Sequence, residues 1–174
     1  MPLLSFRLPF ILVNEANIMR HALIKIHVTA ASLALAMIFS FFSASLVVEL
    51  FGDTKHVTMV KNVIFYAIWL LIPCMAATGI SGIKLAGKAR SGPIAKKLKR
   101  MPVIALNGIL VLIPLAISLR NMALSGSFDT LFYTLQCLEL LAGGINLVLM
   151  GLNFKDGLKL SRSKRKPHPP LKGA

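Results

Sequence analysis

A chain of 174 residues, 56% of them hydrophobic and with a mean hydropathy of +0.74, carries more apolar surface than one small water-soluble core can enclose. Composition therefore excludes an ordinary soluble domain and predicts an all-α integral membrane protein. The formal charge of +14 does not by itself point to nucleic acid, because in a membrane chain the placement of charges matters more than their sum.

Residues 1–22 open with "MPLLSFRLPFILVNEANIM", a short apolar stretch with two prolines and no small-residue cleavage pattern, so it does not read as a signal peptide. Two readings stay open. It is an interfacial segment on the cytoplasmic leaflet, or an upstream extension of a protein whose natural start is Met19, since "MRHALIKIHV" already forms a charged lead-in.

Four apolar segments follow, at about 23–50, 62–85, 102–119 and 130–152, within a membrane domain of 23–155. Each is long enough for a helix to cross about 30 Å of hydrocarbon, which predicts a four-helix bundle. All but three of the 20 Lys and Arg fall before the first span, between the second and third, or after the fourth. The exceptions are Lys55, Lys61 and Arg120, assigned to the two opposite loops. This asymmetry predicts both termini in the cytoplasm. The basic loop 84–100 and the tail 156–174 read as topology determinants lying against anionic lipid headgroups, the tail being disordered. No aromatic residues interleave these charges, so nucleic acid is not expected as a partner.

"FYTLQCLELLAGGINLVLMGLN", in the fourth span, carries one carboxylate, Glu139. Gln136, Glu139, Gly143, Asn146, Met150 and Asn153 recur at steps of three and four, which places them on one helix face turned to the bundle interior. Glu139 lies about 13 Å from Thr130, near the midplane. Pro73 and Pro114 come out at about that level as helix breaks, each releasing the carbonyl four residues earlier, at Trp69 and Leu110. Nearer the cytoplasm, His27, Thr78, Asn107 and Asn146 form a second polar layer, one residue per span. It is a ligand site or an interhelical clasp. An intramembrane carboxylate is either protonated and bonded or has a cationic or functional partner, and nothing ionisable is expected between Glu139 and the rim residues Glu49 and Asp53.

Small residues such as Gly79, Ser81 and Gly82 in the second span favour close helix approach. Cys74 and Cys137 lie inside spans and read as packing residues. No CxxC, CxxCH, phosphate-binding glycine loop or GxSxG elbow occurs, so no enzyme chemistry is expected.

"IKIHVTAASLALAM" and "IPCMAATGISG", covering the first two spans, look like the small, uncharacterised four-helix bacterial membrane proteins near the copper-resistance D-like family. That resemblance implies a bacterial inner (plasma) membrane, a metal or haem connection, and His27 as the candidate ligand. A b-type haem with two histidine ligands lacks a second histidine within a span, which leaves His27 with Met101 or Met150. Two functions follow. One is a non-enzymatic binding or accessory subunit, with a haem, quinone or metal in its polar interior or docked as a homo-oligomer or in a larger membrane complex. The other is a small oligomeric proton- or cation-coupled transporter or channel using Glu139.

Overall fold

The computed structural model describes the backbone of residues 3–87 and 92–163, and the side chains of 15, 17–87 and 92–159. Four helices make up this structure: Leu3–Phe51, Thr54–Ala86, Gly92–Leu124 and Thr130–Ser163. Each contains a segment long and apolar enough to cross a membrane. No strand occurs among the described residues.

The connections are short because turn and capping signals stand where the apolar runs stop. Gly52 and Asp53 alone separate the first two helices. Gly87 ends the second helix with φ 51°, and Gly126 turns the third into the fourth with φ 72°, both left-handed values that favour glycine. Asp129 then caps the fourth helix, its Oδ1 accepting the Phe132 N–H at 2.9 Å. Such tight turns make the helices run up, down, up and down. They pack as a ring: first on second, second on third, third on fourth, fourth on first. The diagonal pairs, first with third and second with fourth, make no backbone approach among the described residues.

Several boundaries differ from the sequence expectation. The first helix runs back to Leu3 without interruption, joining the N-terminal segment to the first span. The second begins at Thr54, two turns before position 62, because the Asp53 cap starts it. The third runs from Gly92 to Leu124, well beyond 102–119 at both ends. The fourth continues through residues 156–163, which were expected to be disordered, while 164–174 lie outside the described residues. So do Lys88 and Arg90 of the basic loop.

Neither proline expected to break a helix does so. The second helix continues through Pro73. Ahead of Pro114 the third helix widens into a π turn at Gly108–Leu112, where the Ile113 N–H reaches the Gly108 carbonyl. A wide turn absorbs the missing N–H and the ring's push on the Leu110 carbonyl without interrupting the rod.

Polarity runs opposite to that of a water-soluble bundle. Leu50, Trp69, Leu110 and Leu141 are exposed, whereas the most completely buried large side chains are Lys61, Phe132, Leu119 and Asn146. Among the described residues, buried apolar side chains gather in two main clusters. Val57, Leu119, Ala123 and Phe132 fill the end nearest Asp53, and Ala34, Ile38, Ile104 and Met150 fill a second cluster.

The Asp53 cap is testable. Its Oδ1 accepts the His56 backbone N–H at 2.9 Å, and the His56 Nδ1 stands 2.8 Å from the same oxygen. That backbone bond, reinforced by the His56 side chain, holds the Asp53 carboxyl below the usual carboxylate range. With the folded-state value depressed, the cap's stabilisation is present above the unfolded-state value and is lost as pH falls through the folded-state one. Asp53→Ala will lower the thermal midpoint in detergent at neutral pH, and the gap from wild type will close in acid. Circular dichroism melts at the two pH values check this; a gap that persists in acid would rule out the carboxylate charge as its source.

Candidate polar site

The fourth helix supplies the backbone of the site. Gln136 and Asn146 on the expected face are buried, at 3% and 1% exposure, and Gly143 and Met150 between and beyond them are buried too. Leu138, Leu141 and Leu152 on other faces are exposed. Steps of three and four thus do set the inward face.

Glu139, on this face, is ion-paired. Its Oε2 accepts from Lys61 Nζ on the second helix, and the two side chains are 11% and 1% exposed. Lys61 Nζ also donates to Ser45 Oγ of the first helix at 3.4 Å, and Gln136 Nε2 donates to Glu139 Oε2 at 3.4 Å. Among the described residues, Lys61–Glu139 is the one side-chain bond that crosses a diagonal of the ring. A lysine has the reach to do this, since its ammonium sits on a four-carbon stem.

Lys61 is the residue that sequence reasoning misplaced. It was assigned to a loop, so the cationic partner left open for Glu139 was not identified, and nothing ionisable was expected between Glu139 and the rim residues Glu49 and Asp53. The helix in fact starts at Thr54, so Lys61 lies about 10 Å below the helix start, close to the depth of Glu139. A signal was there: Val57, Lys61 and Ile64, all buried, recur at steps of four and three.

The second layer resolves into two separate pairs. On one side His27 Nδ1 lies 3.1 Å from both the Thr78 carbonyl oxygen and Ser81 Oγ, and a proton on Nδ1 donates to that carbonyl. Thr78 contributes through its backbone, because its hydroxyl donates to the Cys74 carbonyl at 2.8 Å. On the other side Asn107 Nδ2 donates to Asn146 Oδ1 and to the Ala142 carbonyl, each at 2.9 Å. No hydrogen bond among the described residues joins the pairs. One four-helix convergence is therefore replaced by two clasps between neighbouring helices.

Asn153 meets Arg100, whose Nη1 donates to Asn153 Oδ1 at 3.4 Å and to Asp156 Oδ2 at 2.8 Å. Arg100, expected to face lipid headgroups, is instead neutralised within the bundle. Arg120 is likewise held internally, donating through Nε to Asn62 at 2.9 Å and lying 4.2 Å above the Phe65 ring.

His27 does not gain the partners that a haem or metal requires. No group of three His, Cys, Asp or Glu able to hold an ion occurs among the described residues. His27 Cε1 and the Met101 methyl both lie beside Gly82, 3.1 and 3.0 Å from where a Cβ on it would stand. Met150 belongs to the apolar cluster with Ala34, Ile38 and Ile104. No protein family, curated protein or solved structure matches the chain.

Removing one partner of a buried pair leaves an uncompensated charge. Lys61→Met will destabilise the bundle by about 3–5 kcal/mol, whereas Lys61→Met combined with Glu139→Leu will recover most of the loss. Unfolding in mixed detergent micelles measures both. Equal destabilisation by the single and double variants would show that packing, not charge, sets the loss.

Proposed function

We propose that the chain is a multi-pass membrane protein acting as a non-enzymatic accessory subunit, one that offers its outer face to lipid and to other membrane proteins. The observation that carries this reading is that most of its interior polar side chains are engaged in bonds between its own helices. Lys61 neutralises Glu139, Asn107 bonds Asn146, His27 bonds the second helix, and Arg100 neutralises Asp156. Glu139 needs no external cation to offset its charge, which weakens the transporter reading. What remains available outside is an apolar belt that includes Tyr66, Trp69, Leu110 and Leu141.

A bacterial inner membrane with both termini cytoplasmic is part of the proposal. Lys84, Lys96, Lys97, Lys99, Lys155 and Lys159 gather at the end of the bundle where the second helix stops and the third begins. At the opposite end, Arg120 is held against Asn62 and Phe65. The lysine-rich end is suited to anionic headgroups.

Gentle detergent extraction followed by native size analysis tests the assignment. The expected result is a species well above one 18.9 kDa chain plus micelle, made of further copies or other membrane proteins, and without a Soret band. A monomer that shows a Soret band lost in His27→Ala, or cation flux in proteoliposomes abolished by Glu139→Gln, would overturn it. For orientation, a reporter fused after Ala174 will be active only in its cytoplasmic form.

A further inference from the structure

Ser45 and Glu49 lie four residues apart on one face of the first helix, so Glu49 stands one turn nearer the Asp53 end than the serine that Lys61 touches. Glu49 is within electrostatic reach of both Lys61 and Glu139. Two carboxylates then lie near one ammonium that bonds only Glu139, so one negative charge has no cation of its own.

Hydrogen bonding points the same way. Glu49 Oε1 is buried and has no partner among the described residues. Gln136, 3% exposed, turns its Nε2 onto Glu139 and keeps a buried Oε1 without a partner. Two orphan acceptors beside a surplus negative charge lack both a donor and a positive charge. A proton supplies both.

We propose that Glu49, Lys61 and Glu139 form a proton-binding site in the half of the bundle nearer Asp53. A proton from hydronium adds to a carboxylate oxygen of the Glu49–Glu139 pair and makes it an O–H donor; one O–H bond forms as the hydronium O–H bond breaks, and water is released. Glu49, half-buried and about 3 Å from the end of its helix, is the outer member, and Glu139, about 13 Å down the fourth helix, is the inner one. No other charged group takes part. Arg120, from the third helix, is held by Asn62 and Phe65, His56 and Asp53 bond each other at the rim, and Asp129 caps Phe132. Inward of Glu139, the Phe42 ring lies against Gly143 and Gly144, 3.7 Å from where a Cβ on either would stand. That ring and the buried Ala142 put apolar side chains between Glu139 and the Asn107–Asn146 pair.

Proton uptake by the detergent-solubilised full-length chain, followed by pH-stat titration, tests the site with Glu49→Gln and Glu139→Gln. In a shared site either substitution leaves one carboxylate neutralised by Lys61, so both variants lose the same titration, about one proton per chain. An infrared titration will show the protonated-carboxyl C=O band missing from both. Two results overturn the proposal: Glu49→Gln titrating as wild type does, or the two variants each removing a different titration, as independent carboxylates would. Glu49 is half-buried, so Glu49→Gln keeps the test decisive even where Glu139→Gln fails to fold.

Discussion

An ammonium and a carboxylate withdrawn from water together stay stable only while they face each other, and Lys61 and Glu139 do so across the diagonal of this bundle. The second and fourth helices make no backbone contact, so the pair cannot form unless the first and third helices hold both at the right depth. A shift of one helix by a single turn, about 5.4 Å, would strand both charges. Register around the whole ring is therefore coupled to one contact. Where apolar side chains gain little from meeting each other rather than lipid, such a contact specifies an arrangement that greasy surfaces alone leave open.

Around this contact the polar groups follow a pattern. Each remaining clasp joins neighbours in the ring: His27 to the second helix, Arg120 to Asn62, Asn107 to Asn146, Arg100 to Asp156. The fourth helix carries one partner of two of these four clasps and of the diagonal pair, along the face that runs from Gln136 to Asp156. Neighbouring bonds fix pairs of helices, and the diagonal one closes the set. The same economy explains why the Asp53 end holds the proposed proton site: there one helix brings a second carboxylate to a partner already engaged.

Much of this was legible in the sequence. Helical spacing of three and four identified the inward face of the fourth helix, residue by residue, because a helix repeats every 3.6 residues whatever surrounds it. The four apolar runs and the short turns between them dictated an up-and-down bundle. What could not be read was partnership. Asn107 and Asn146 were placed at one depth and do meet, while His27 and Thr78, at a similar depth, meet through a backbone carbonyl that no side-chain pattern reveals. Pro73 and Pro114 looked alike as letters, yet one leaves the helix continuous and the other sits beyond a π turn. Rise per residue sets depth, but side-chain rotation and the neighbouring backbone decide which atoms touch.

By itself the sequence determined four long apolar helices, their order and the polar face of the last, since these depend on local periodicity and on where hydrophobic runs stop. Only the tertiary structure decided that Lys61 belongs inside. Two turns of helix at a capped N-terminus separate a loop lysine from a buried one, and the position of that cap, together with a carboxylate on a helix 78 residues further along, settles which it is. Charge in an apolar interior is governed by its partner, and partners are set by the packing of the whole ring.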